Sequence, residues 1–435
     1  MKRLALILMI LLVWAMPVSV WAAATTIAAG KLTGTSGIST TGNTSHNLVR
    51  LSSGRLIAAF LDETNNVLRM YYSDNNGSTW TQFSGTAPAA YGVVALATDG
   101  TNWYCAWKHG PAGATYDIYC AYGSGSGTPS YSAGGDVGVG CSGAYPALDI
   151  AVDANTAPFC VHICHSNGPG NIAYVNNVGQ TTWGNWNSDV QVVSVPGDAE
   201  SLHLAVDTTS AHTNRYNLPQ VVGMDTSGKV YAYIGTANNA MSFDGCNLGL
   251  TNPATGCGFA IDSSGNSNIT WRNTSNNAYG LQMTVSQAIS NWNTASNWSS
   301  FGGILTDGYV TQQTALLASG TNLYMHSPDS AYTSRTLRYV QSTNDGSTWG
   351  SAQTIETSIA VVNVSPRWQY ANNPSYSSSG YEYLIDNGTN VYYDTFAAAA
   401  PAPKGGGWRY ILLRHLGLDR LCWLGAGKVW ALEGG

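Results

Sequence analysis

The sequence predicts an all-β chain built from about seven repeated units of four strands each. Three observations carry that expectation. The first is composition. Of 435 residues only 10% are charged, yet 44% are hydrophobic and 11% aromatic, with 25 Tyr, 15 Trp and 49 Gly against 5 Glu and 6 Lys. Strands favour aromatic and β-branched residues and turns favour Gly and Asn, whereas helix surfaces draw on Glu and Lys. A helical bundle and a doubly wound α/β sheet are therefore not expected. The second is period. Apolar segments recur at Leu56–Phe60, Trp103–Trp107, Phe159–Ile163, Gln220–Met224, Asn268–Trp271, Asn322–Met325 and Tyr381–Ile385, with centres about 47 to 60 residues apart. One strand-like segment precedes each, and a strand-turn-strand follows. Four strands in about 50 residues is the repeat of a β-propeller blade, with seven blades preferred and six the alternative. The third is closure. The last unit ends at Tyr392–Phe396 one strand short, and Thr25–Leu32 can supply the missing strand. A ring closed in this way leaves no open sheet edge.

The elements follow in order. Lys2 and Arg3 precede an apolar run from Leu4 to Val20, and Val20-Trp21-Ala22 places small residues at a cleavage site. Residues 1–24 thus read as a secretory signal peptide, the run being short for a membrane span. The expected location is secreted or at the cell surface. Residues 25–400 form the propeller and hold 11 Lys+Arg against 22 Asp+Glu. No basic surplus exists to neutralise phosphates, so a nucleic-acid partner is not expected. Pro401–Gly407 reads as a linker. In the basic tail 408–435, Trp408, Ile411, Leu412, His415, Leu418 and Cys422 fall at helical spacing, predicting a helix or a disordered extension. Membrane contact is expected only through that tail.

Eight cysteines suit an oxidising compartment. Cys105 with Cys120, and Cys246 with Cys257, are candidate bridges, each across one connection. Cys160, His162 and Cys164 would share one strand face, where packing is preferred over a metal site. No metal and no cofactor are expected.

Two octapeptides stand out. Ser73-Asp74-Asn75-Asn76-Gly77-Ser78-Thr79-Trp80 and Ser342-Thr343-Asn344-Asp345-Gly346-Ser347-Thr348-Trp349 agree at six of eight positions. Each sits between strand-like segments, with Asn and Ser placed to bond turn amides and Gly at a positive-φ position. Asn177–Trp183 reads as a worn third copy. These octapeptides resemble the Asp-box, or bacterial neuraminidase repeat, of sialidases and other secreted propellers, with Asn75 and Asn344 replacing the Asp. The likeness continues in Leu48–Phe60, similar to the first strand pair of sialidases, and in His326-Ser327-Pro328 with Arg335-Thr336-Leu337. It implies structural roles for Ser73, Asn75, Gly77, Thr79, Trp80, Ser342, Asn344, Gly346, Thr348 and Trp349. The Thr and Trp are expected to pack back on their own hairpin, with Trp80 and Trp349 buried.

The resemblance also implies an arginine triad for a carboxylate, an acid Asp, and a Tyr nucleophile beside a Glu. Thr44-Ser45-His46-Asn47 stands where the first arginine would fall, and Asn66-Val67 where the acid would fall. Arg335, with Arg338 as rival, suits the third arginine. Glu382 and Glu200 are the central candidates beside a Tyr. Sialidase activity is therefore not expected. Glu200, His203, His212, Arg215 and Tyr216 cluster in one unit, as a propeller lyase acting on uronates would require. Glu200, His203, Arg215 and Arg335 are the catalytic candidates. Arg367, Trp368 and Tyr370 could stack on and hydrogen-bond a sugar ring, and Asp62-Glu63 could bind a cation or a hydroxyl. No P-loop, HExxH or GxSxG motif occurs. The expected partners are extracellular glycans or surface proteins. Binding without catalysis is preferred, a glycoside hydrolase or polysaccharide lyase is the alternative, and a structural surface module is the third reading.

Overall fold

The computed structural model describes residues 24–396 apart from 31, 33–45, 111–115, 132–134, 142–146, 155–159, 168–169, 181, 198, 240–241, 251–252, 311–313, 330–335, 357–362, 367–380 and 388. Beyond them it describes 409–411, 422–425 and 428–431. The expected signal peptide lies outside the described residues, Ala24 excepted, and the linker lies wholly outside them.

Seven antiparallel four-stranded sheets follow one another along residues 25–396 as the blades of a β-propeller. Blades I to VI span 48–82, 94–141, 148–194, 199–247, 253–305 and 315–356. In each, the first strand is innermost and the four strands pair in chain order. Every apolar segment singled out in the sequence contributes to the second strand of its blade. These strands are apolar throughout because blades pack on both of their faces; Leu56–Asp62 and Pro219–Asp225 are almost wholly buried. Blade VII is composite. Its inner three strands are Asn363–Pro366, Tyr381–Asp386 and Asn390–Phe396, and Thr25–Ala29 pairs with the last of these. The closure expected from the strand count is thus present.

The tail differs from its expectation. Arg409–Ile411, Cys422–Gly425 and Lys428–Ala431 form a separate three-stranded antiparallel sheet instead of a helix. The aromatic and β-branched residues Tyr410, Ile411, Trp423, Val429 and Trp430 favour strands, and this outweighs the helical spacing.

The expected bridges are also absent. No disulfide joins Cys105 to Cys120 or Cys246 to Cys257. Cys105 lies opposite Ala121, and Cys120 opposite Ala106. The one-residue offset sends the two side chains to opposite faces of the blade. Cys246 is on the outermost strand of blade IV, whereas Cys257 is on the innermost strand of blade V. Burial pushes the Cys257 thiol up to about 12, so it is a neutral packing group. His162 is bonded by the Tyr174 hydroxyl and the Asp153 carboxylate, so its ring serves the inside of blade III.

The octapeptides form the turns between third and fourth strands. In the first, the Ser73 hydroxyl accepts the Gly77 amide at 2.9 Å, and Asn75 Oδ1 accepts the Thr79 amide at 2.9 Å. Asn75 Nδ2 donates to Thr79 Oγ1 at 2.8 Å. Ser342, Asn344, Gly346 and Thr348 repeat the arrangement. The tryptophans depart from expectation. Trp80 and Trp349 are half-buried and lean on the preceding blade: Trp80 on Tyr393, with ring centres 5.3 Å apart, and Trp349 on Phe301 at 5.9 Å. A β-hairpin turn alone offers too little apolar surface to cover an indole, and the neighbouring blade supplies it.

Candidate functional site

Several of the residues singled out for chemistry make structural contacts. Glu382 is 2% exposed on the second strand of blade VII. Both its oxygens receive the Arg50 guanidinium, and one also accepts the Tyr393 hydroxyl at 2.8 Å. Arg50 belongs to blade I and also donates to Asn76 of the first octapeptide at 2.9 Å. Glu382 and Tyr393 thus form, with Arg50, a clasp that closes the ring. Asp62 is held by Arg69 and Asn65, its carboxyl drawn below the usual range against the opposing effect of burial.

His203 lies on the inner strand of blade IV, 2% exposed, and its Nε2 meets the Cys257 carbonyl at 2.6 Å. Burial pulls its pKa down to about 4. Across the hub, His46 lies 3.1 Å from Asp149, whose other oxygen accepts the Leu204 amide. These contacts tie blades I, III, IV and V together around the axis. Glu200 sits on the same strand as His203. Arg335, Arg367, Trp368 and Tyr370 lie outside the described residues.

Arg215 is completely buried. Its guanidinium donates to the Gly265 and Met283 carbonyls, both at 3.1 Å, to the Ser267 hydroxyl at 2.9 Å and to the Thr284 carbonyl. One face lies 5.4 Å from the centre of the Trp292 ring. Burial lowers its pKa to about 10, which leaves it charged at neutral pH. This cation belongs to blade IV, and every one of those partners belongs to blade V. It fastens the loop 208–218 to blade V and to the connection 284–298, which carries two short 3-10 turns. At the loop's start, His212 Nδ1 lies 2.7 Å from Asp207 Oδ2.

With the loop so held, its next residue points outward. Tyr216 is 37% exposed, one of three large exposed aromatic side chains among the described residues. It borders a cleft of about 630 Å³ between blades IV and V. The wall combines Thr213, Asn214 and Leu218 of the loop, Thr236 and Asp244 of the outer hairpin of blade IV, and Ala288, Ile289 and Ser290 of blade V. An aromatic ring beside apolar side chains, with a few convergent hydroxyl, amide and carboxylate groups, is the chemistry of a site for small polar ligands. Asp244 is half-buried, and no hydrogen bond or ion pair engages its carboxylate among the described residues. Sequence reasoning found Tyr216 and the loop, but not Asp244 or Ser290. Their only sequence signal was a place in Asn/Ser/Thr-rich turns, which every blade shares.

No protein-family model and no curated protein matches the chain. Among solved structures it is similar to the BP39L lectin from Burkholderia pseudomallei, at 11% identity over 90% of this chain and 100% of that one, TM-score 0.54. It is also similar to the polysaccharide lyase Uly1, at 6% identity over 87% and 100%, TM-score 0.51. A Hadza microbial sialidase aligns at 12% identity over 87% of this chain and 69% of its own, TM-score 0.45. At these identities the first two establish a shared propeller fold.

Proposed function

We propose that this protein is an exported, Asp-box type propeller that binds extracellular glycans without cleaving them, through the cleft between blades IV and V. One observation carries the reading: an exposed Tyr216 and an unengaged Asp244 face one cavity whose backing is rigidified by a fully buried arginine. A sugar ring has an apolar face that stacks on an aromatic ring, and hydroxyls that seek carboxylate and amide partners. Among the described residues Tyr216 and Asp244 are the ionisable groups of the lining, and we read both as sugar-binding groups. The lectin and the lyase of the same fold make glycans the natural first ligands to test.

Binding to a glycan array, followed by calorimetry on any hit, tests this reading. Tyr216→Ala should weaken binding about tenfold, the upper end of an aromatic contact worth roughly 0.5–1.5 kcal/mol. Retention of full affinity by that variant would remove the cleft from consideration. One observation favours cleavage as a second reading: the Asp207–His212 pair stands directly before Thr213 of the lining. Release of reducing ends or unsaturated products, lost in His212→Ala, would establish it.

A further inference from the structure

The chemistry of the wall also bears on which glycans the cleft accepts, an inference that rests on the reading of the cleft as the binding site. We propose that it selects neutral sugars, taking a vicinal diol on Asp244 and the apolar ring face on Tyr216, and rejects carboxylated and sulfated ones.

Residues 25–400 contain eight arginines, and the structure describes the side chains of six. Arg50 is committed to Glu382, Arg55 to Asp74, Arg69 to Asp62 and Arg338 to Asp307, and Arg272 is half-buried on the second strand of blade V, outside the cleft lining. Arg215 stands directly behind the cleft, yet four acceptors and an indole face occupy it, and it is completely buried. Among the described residues, no Lys, Arg or His lines the cavity. An acidic sugar would enter without a guanidinium to grip its carboxylate. It would also meet the Asp244 carboxylate inside a domain carrying 22 acids against 11 bases.

The neutral groups point the same way. Among the described residues, the side chains of Thr213, Asn214 and Ser290 offer hydroxyl and amide groups that no other protein group engages, and Asp244 offers two oxygens. A carboxylate accepting two hydroxyl protons makes charge-assisted bonds of about twice the ordinary strength. Adjacent hydroxyls on one ring can reach both oxygens together. Leu218 and Ile289 share the lining with Tyr216 and supply apolar surface for the ring's carbon face.

The test is an array carrying matched neutral, carboxylated, sulfated and free-amino forms of the same glycans, probed with the wild type, Tyr216→Ala, Asp244→Asn and Asp244→Lys. Signal confined to neutral members, lost in Tyr216→Ala and at least tenfold weaker in Asp244→Asn, is the expected result. Asp244→Lys should also lose the neutral members. Tyr216-dependent signal that is strongest on carboxylated, sulfated or free-amino members, or that is unchanged in Asp244→Asn, would overturn the neutral-sugar inference while leaving the cleft as the site. Signal indifferent to Tyr216 would overturn the cleft reading itself, and this inference with it.

Discussion

Glycine 77 offers a direct measure of how the ring is locked. Its φ of +82° is open to glycine, and a Cβ built there would fall 1.9 Å from Cε1 of Tyr393. That ring cannot swing aside freely. It is 4% exposed, and its hydroxyl donates to Glu382, which is itself paired with Arg50. Gly77→Ala therefore incurs two costs. The left-handed conformation costs about 1–2 kcal/mol. Displacing Tyr393 from a charged acceptor costs about 1.5–3 kcal/mol. A total of about 2.5–5 kcal/mol is expected. Gly179, in the corresponding place of the worn third copy, separates these costs. Its φ is +79°, and nothing lies within 4 Å of its hypothetical Cβ. Gly179→Ala should cost only the backbone share, about 1–2 kcal/mol. Gly346 falls between them, because its neighbour Phe301 at 2.2 Å is half-buried and has no hydroxyl to anchor it. Equilibrium urea unfolding followed by tryptophan fluorescence measures all three. Costs for Gly77→Ala and Gly179→Ala within about 0.5 kcal/mol of each other would refute the clasp, as would a Gly77→Ala/Tyr393→Leu double-mutant cycle with no coupling.

Other expectations follow from the same geometry. Asn75→Asp should change stability by less than about 0.5 kcal/mol, because the carboxylate keeps the Thr79 amide and the threonine hydroxyl can turn to donate; Asn75→Ala should cost about 1–3 kcal/mol in the same unfolding assay. Trp80→Ala should cost about 2 kcal/mol, below the roughly 3–5 of a fully buried aromatic, since the indole is half-buried. Burial holds His203 near 4 and His326 near 3, both below the ordinary 6.5, so the unfolded chain takes up more protons and stability should fall as pH drops from about 6.5 towards 4. The His203 share, about 2–3 kcal/mol, should vanish from the pH 7 minus pH 4.5 difference in His203→Gln. A fluorogenic sialoside should stay at background, because Glu382 and Tyr393 are occupied in the clasp with Arg50; turnover abolished by Arg335→Ala would contradict that.

The legible parts of this molecule were those written in local pattern. Second strands such as Gln220–Met224 announce themselves because blades pack on both sides and alternation gives way to continuous apolar runs. The missing eighth-and-twentieth strand could be counted, and Thr25–Ala29 was the segment left over. The illegible parts depend on partners far along the chain. Glu382 finds Arg50 across 332 residues, and Arg215 finds Ser267 across 52. From sequence, a charged residue within an Asn/Thr loop reads as exposed; nothing local shows that four acceptors of the next blade surround it. The Cys105–Cys120 pairing failed on a single residue of register and the Cys246–Cys257 pairing on a change of blade, and the cleft was illegible because its walls come from two blades.

The direction of the inter-blade contacts explains why the octapeptides recur without being repeated in every blade. In blade I, Trp80 reaches back to Tyr393 of blade VII; in blade III, Trp183 reaches Tyr122 of blade II, with ring centres 4.4 Å apart. In blade II the Tyr131 hydroxyl accepts the Met70 amide of blade I, and in blade IV Phe243 meets Tyr174 of blade III. In blade V, Trp292 covers Arg215 of blade IV, and in blade VI, Trp349 meets Phe301 of blade V. In blades I to VI the region between third and fourth strands, or the start of the fourth, thus delivers an aromatic group to the preceding blade. The octapeptide is one way of meeting that requirement, and a compact one, since its side-chain bonds fix the turn that aims the tryptophan. Blade V meets it differently. Its connection, residues 284–298, is long enough to bury Trp292 over Arg215 and still extend Ala288, Ile289 and Ser290 to the cleft. The same structural demand that elsewhere yields a tight turn here leaves a ledge, and the candidate binding site is built on that ledge. Shortening 284–298 to an octapeptide turn should therefore remove the cleft while preserving the ring, which would separate the architecture of this propeller from its recognition chemistry.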